Sequence, residues 1–141
     1  MKNTVYTSHD GKEIALYTWD EVKKPKGVVK IAHGMAEHSA RYDEFAQFLN
    51  SNGYIVVMND HRGHGLTAEA DSLGYEEGDM WTKNVQDQVA LLKYCKEKYS
   101  LPVIMMGHSY GSFITQAVME ERPDADAFVL CGSSFMKGLS Y

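Results

Sequence analysis

The sequence predicts an α/β fold: an antiparallel first hairpin, then a mostly parallel sheet with helices on both faces. Three observations predict it. Continuous apolar runs at 27–32, 54–58 and 103–106 read as strands buried on both sides, the pattern of a parallel sheet. Segments with helical spacing lie between these runs, as crossover connections require. Gly107-His108-Ser109-Tyr110-Gly111 joins one such strand directly to a helix.

Taken in order, residues 3–8 and 13–19 alternate apolar and polar around His9-Asp10-Gly11-Lys12. Asp-Gly between alternating runs signals a hairpin. Residues 20–26 are charged, contain Pro25 and read as a loop. The strand at 27–32 delivers the chain to His33-Gly34-Met35. A helix follows, with Ser39 as its expected cap. Tyr42, Phe45, Ala46 and Leu49 fall on one of its faces, and Asn52-Gly53 ends it. The strand at 54–58 opens into a long loop, 59–80, rich in glycine and acids. The next helix runs from about 82 to 99 with Val85, Val89 and Leu92 facing inward. After the strand at 103–106 and the Ser109 turn, a helix over 112–121 stops before Pro123. Residues 126–131 form one more strand, and 132–141 read as irregular.

A chain of 141 residues is long enough for one domain with a real core, and no repeat, linker or low-complexity tract divides 1–141. Its net charge of -5 excludes the basic footprint of a nucleic-acid binder. The 44% hydrophobic content excludes a disordered chain. Residues 1–6 lack the apolar core of a signal peptide, and no run has the length of a membrane span. Cys95 and Cys131 form no C-x-x-C pair. They read as small buried residues in a reduced, cytoplasmic setting.

The candidate chemistry centres on Ser109. Strand, sharp turn, helix is the context of a G-x-S-x-G nucleophile elbow. The chain reverses so tightly that only glycine leaves room on either side of the serine. Ser109 itself is expected in a strained conformation that lifts its hydroxyl clear of the sheet. The N–H of Tyr110 then sits at a helix N-terminus, where partial positive charge favours an oxyanion. A second donor is expected from the loop after the strand at 27–32, and the candidate is the N–H of Met35. Gly34 just before it permits close backbone approach.

Asp60-His61-Arg62-Gly63-His64-Gly65 follows the strand at 54–58 and admits three readings. A metal site would use its histidines, but the helix of H-E-x-x-H is absent. A dinucleotide loop would want a third glycine at 68, where Ala68 stands. The reading best supported is a tight turn, with Asp60 and Arg62 hydrogen-bonding loop backbone beside the active end of the sheet. His108 adjoins the serine, but neighbours on a sharp turn point apart, which disfavours it as a base. Tyr42, Phe45, Trp81 and Phe113 read as core.

Together HGMAEHSARYDEFA, NDHRGHGLT and GHSYGS resemble the α/β-hydrolases of the monoacylglycerol lipase and lysophospholipase group, which overlaps the serine aminopeptidase-like hydrolases. The resemblance covers roughly residues 27–131. It implies a Ser-His-Asp esterase without cofactor or metal, acting on a monoacylglycerol, lysophospholipid or related acyl ester. On that pattern Ser109 is the nucleophile, and Met35 and Tyr110 supply the oxyanion N–H groups. Ala36 stands where the family usually has Gly, and Thr67 where it usually has Ser. In such proteins the Asp and the His follow the serine in the chain, and no histidine follows His108 here. The chain therefore reads as the N-terminal portion of the fold. The triad Asp and His, the later strands and the lid are expected outside it. An exposed sheet edge, open to self-association, is expected at 126–131. The absent histidine also leaves open a non-catalytic binding or interaction module on the same scaffold.

Overall fold

The structure is a computed structural model describing residues 1–135; of the tail expected to be irregular, 136–141 lie outside the described residues. The hairpin forms as its Asp-Gly turn predicts. β1 (Lys2–Thr7) pairs antiparallel with β2 (Glu13–Trp19), with Tyr6 opposite Ile14. The turn closes through Ser8 N–H to Lys12 O at 2.9 Å, with Gly11 at φ 83°.

The remaining strands are β3 (Gly27–Ala32), β4 (Tyr54–Asn59), β5 (Val103–His108) and β6 (Ala127–Cys131). The sheet order is β1-β2-β4-β3-β5-β6. The β2–β4 pair is antiparallel, and β4, β3, β5 and β6 run parallel. β5 extends two residues past its apolar run, so that His108 pairs with Cys131 on β6. Apolar content alone underestimates a strand whose last residues enter a site.

Helices cover both faces. α1 (Asp43–Ser51) lies on one, where Ala46, Tyr42, Phe45 and Leu49 pack with Ile31, Val56 and Met58. α2 (Met80–Tyr99) and α3 (Tyr110–Glu120) lie on the other, where Leu91, Leu92, Cys95, Ile114 and Val118 pack on Val28, Val57 and Met105. Of the inward set expected on α2, Val85 and Leu92 are buried and Val89 is partly so. α2 begins two residues earlier than the apolar pattern indicates because Asp79 caps it. Its carboxylate accepts the N–H of Thr82 at 3.1 Å and the hydroxyl of Thr82 at 2.6 Å.

Three expectations are corrected. Ser39 does not cap α1: it opens a 3-10 turn, Ser39–Tyr42, and its buried hydroxyl has no partner among the described residues. Cys131 is exposed, because it ends β6 at the border of the sheet, while Cys95 is buried as expected. Phe113 is half-buried and joins neither cluster. Along β6 only Phe128 is partly covered; Val129 and Leu130 are 44% and 42% exposed.

Candidate active site

Ser109 sits between β5 and α3 as the N-cap of that helix, at φ 52° and ψ -120°. A non-glycine residue pays for that left-handed φ in backbone strain. The flanking glycines explain how the turn closes. A side chain on Gly107 would collide with the carbonyl of Gly111 and the hydroxyl of Thr115. One on Gly111 would collide with the carbonyl oxygens of Ala32 and His33 on the neighbouring strand end. The serine's backbone is pinned on both sides. Its N–H donates to Cys131 O at 3.0 Å, and its carbonyl accepts the Ser112 hydroxyl at 2.6 Å. Ser109 is exposed to solvent. Tyr110 is the first helical residue, so its N–H has no intrahelical acceptor.

The loop after β3 packs directly against this turn. An ideal Cβ on Gly34 would lie 3.3 Å from the Cβ of Ser109 and 2.9 Å from Oε1 of Glu37. The Gly34 N–H donates to Glu37 Oε1 at 2.5 Å, and the Tyr42 hydroxyl donates to the same oxygen at 2.6 Å. His108 Nδ1 stands 3.4 Å from Glu37 Oε1. Burial opposes ionisation of Glu37, yet the bonds from Tyr42 and Gly34 hold its carboxyl below the ordinary value. The Met35 N–H donates to no acceptor among the described residues. Ala36 lies at φ 58°, which gives a backbone reason for the glycine the family usually has there. The structure thus brings Gly34 against Ser109, beside Tyr110, with Met35 the next residue of the same loop.

Behind the loop, His33, His61 and His64 form a cluster with ring centroids 4.1 to 6.2 Å apart. His33 Nε2 accepts the His61 N–H at 3.0 Å, and His61 Nε2 donates to His33 O at 2.9 Å. Burial pushes the His33 imidazole down to about 4 and His61 well below its ordinary value, so both are neutral. Among the described residues no histidine hydrogen-bonds the Ser109 hydroxyl, and no group of three or more His, Cys, Asp or Glu is placed to hold a metal ion.

Asp60 behaves as the tight-turn reading expects. Its carboxylate accepts the N–H groups of Ser39 at 2.8 Å and Leu66 at 2.9 Å, and the Tyr17 hydroxyl at 3.2 Å. Arg62 does not. Its guanidinium donates to three carboxylates instead of loop carbonyls: Asp87 at 2.8 Å, Asp10 at 2.9 Å and Glu76 at 3.1 Å. The side chain is fully buried, and a buried guanidinium takes charged partners where they are in reach. Sequence reasoning missed Glu37, Asp87, Asp10 and Glu76. Only Glu37, within the HGMAEHS motif, carried a local signal.

Two clefts flank Glu37. One, of about 530 Å³, is lined by Met35, His64, Leu73 and Met80; the other, of about 390 Å³, by Arg41, Tyr42, His108 and Cys131. No helix among the described residues is long and apolar enough to cross a membrane.

Comparison with known proteins gives the family and the fold. The chain is 32% identical over 114 residues to a monoglyceride lipase of Homo sapiens, covering 81% of this chain and 37% of that protein. It is 32% identical over 123 residues to a monoacylglycerol lipase of Mycolicibacterium smegmatis, covering 86% and 43%. A thermostable carboxyl esterase from Bacillus coagulans, solved in complex with glycerol, superposes with a TM-score of 0.83 at 32% identity, covering 94% of this chain and 44% of that one. An α/β-hydrolase enzyme from a deep-sea metagenome library, 19% identical, shares the fold with a TM-score of 0.69 over 90% of this chain and 43% of that one. The chain spans less than half the length of these relatives. The family model described as serine aminopeptidase, S33, matches residues 23–140, and the chain belongs to that family of α/β-hydrolases.

Proposed function

We propose that the chain carries the nucleophile-bearing part of a serine ester hydrolase acting on monoacylglycerol-like or lysophospholipid-like substrates. The substrate class rests on relatives that are monoglyceride lipases. The observation that carries the chemistry is Ser109 at φ 52° on the β5–α3 turn, with Gly34 packed against it. In this reading Ser109 Oγ attacks the acyl carbonyl. The developing oxyanion is held by the N–H groups of Met35 and Tyr110. The alcohol leaves, and water hydrolyses the acyl-enzyme. The general base and its carboxylate partner come from outside these residues, and no cofactor takes part.

One observation favours a second reading. No histidine among the described residues bonds Ser109 Oγ, so the same scaffold could serve as a non-catalytic module that binds through the exposed β6 edge.

Labelling with a fluorophosphonate probe separates the two. The expected result is little labelling of the chain alone and, once a C-terminal portion from one of the relatives supplies the base, covalent labelling that Ser109→Ala abolishes. A folded chain that stays unlabelled, alone and after addition of a C-terminal portion from one of the relatives, overturns the hydrolase reading in favour of the module.

A further inference from the structure

A cleft of about 780 Å³ runs between α2 and α3 and takes no lining residue from the Ser109 turn. Its floor follows one i, i+4 ridge of α2, made of Trp81, Val85 and Val89, with Ala117 of α3 beside it. Val85 is buried, and the other three are partly buried against the same core cluster. The ridge continues into Lys93 and Glu97, so the cleft is about 24 Å long, or about sixteen residues of helix.

The rim is acidic. Glu97, Glu120, Glu121 and Asp124 border the cleft, and Lys93 is the only lysine or arginine among its described lining residues. Lys93 stands 3.9 Å from Glu97. Glu120, Glu121 and Asp124 are exposed and form no ion pair among the described residues; the nearby Lys96 is paired with Asp126 instead. An apolar floor inside a rim of one charge sign marks an interaction surface whose partner carries the opposite sign. Both walls are helices, whose backbone groups are bonded internally, so an extended strand finds no edge to pair with. The shape that fits is a helix laid in the cleft, apolar on one face and flanked by lysine or arginine. A second copy of this chain does not offer one: α1 and α3 contain no lysine or arginine, and the apolar face of α2 is in the core.

We infer that the α2–α3 cleft docks a cationic amphipathic helix of a partner protein. Its apolar side chains lie on Trp81, Val85, Val89 and Ala117, and its cations meet Glu97, Glu120, Glu121 and Asp124. Docking there is independent of the hydrolase reading, because no lining residue belongs to the Ser109 turn or to the loop after β3.

The probe is a synthetic peptide of leucine and lysine, about sixteen residues long, with its leucines on one helical face. Two controls replace all its lysines with glutamate or all its leucines with serine. Each is titrated into the ¹⁵N-labelled full chain at low and at high salt. The expected result is saturable binding of the first peptide with Kd below about 0.1 mM, weakening as salt rises, and none of either control. The shifted resonances are expected to be the Trp81 indole N–H and the amides of Val85, Val89 and Ala117. Two triple variants separate the rim from the overall negative charge of the protein. Glu120→Gln/Glu121→Gln/Asp124→Asn is expected to weaken binding about tenfold or more. Glu13→Gln/Glu21→Gln/Glu44→Gln removes as many exposed carboxylates outside the cleft and is expected to keep the affinity within about twofold. Equal weakening in both variants, shifts centred outside the cleft, equal binding of either control or no saturable binding overturns the proposal. Shifts along α2 and α3 that grow with protein concentration in the absence of peptide overturn it too, in favour of a second copy.

Discussion

Arg62 Nε donates to Asp87 Oδ2 at 2.8 Å, and both side chains are closed to solvent. Through the same guanidinium Asp10 in the hairpin turn and Glu76 in the long loop are tied to α2. The turn that places His64 in the wall of the larger cleft thus hangs from a buried charge cluster. Replacing Arg62 with Met leaves Asp87 buried without its cation. We expect a loss of about 3–5 kcal/mol in urea denaturation. Arg62→Met with Asp87→Leu recovers part of that loss, since no buried charge remains unpaired.

Gly111 is the tightest point in the turn, because its missing Cβ makes room for two backbone carbonyls of the neighbouring strand end. Backbone cannot move aside as a flexible side chain can. Gly111→Ala is expected to cost at least about 3 kcal/mol, or to prevent folding, as read by thermal melting.

Ser109 occupies a left-handed φ of 52° that glycine tolerates and alanine does not. Both Ser109→Ala and Ser109→Gly remove the hydroxyl, so neither is labelled by a fluorophosphonate. Their stabilities should differ: Ser109→Gly is expected to be more stable than Ser109→Ala by about 1 kcal/mol. Equal stabilities would mean that the turn stores no strain.

Lys30 is wholly buried in β3 and donates to Ile31 O, Asn59 Oδ1 and Gln88 Oε1 at 3.3, 2.9 and 2.5 Å. None of these partners is charged, and burial brings its ammonium down to about 8 from 10.5. The folded protein therefore releases this proton near pH 8 while the unfolded chain keeps it to about pH 10.5. Where the unfolded state binds more protons, stability rises with pH. Cys95 beside it is pushed up by burial from 9 to about 11, which opposes the trend above pH 9. The rise is thus read between pH 8 and 9, at about 1 kcal/mol. The difference between wild type and Lys30→Met in chemical denaturation isolates it, because the variant lacks the titrating amine.

Much of the architecture was legible because the signals are local. Asp10-Gly11 made the hairpin, and the strands at 27–32 and 54–58 are continuous apolar runs. Gly107 and Gly111 bracket a serine between a strand and a helix. Element ends were less legible. α2 starts at Met80 because Asp79 caps it, and α3 starts at Tyr110 because the turn before it is tight rather than because of any apolar period. Arg62 was misplaced for a different reason. A guanidinium fits loop carbonyls and carboxylates alike, and its carboxylate partners lie 52, 25 and 14 residues away.

By itself the sequence determined the α/β class, the strand-turn-helix around Ser109 and the glycines that let it close, since each depends on residues within a few positions. Tertiary structure alone decided what surrounds that turn. Gly34 meets Ser109, Glu37 gathers Gly34, Tyr42 and His108, and His33 exchanges hydrogen bonds with His61 across 28 residues of chain. The reason is physical: buried polar groups take whichever partner the fold brings within about 3 Å, and adjacency across parallel strands leaves no mark on the spacing of residues along the chain.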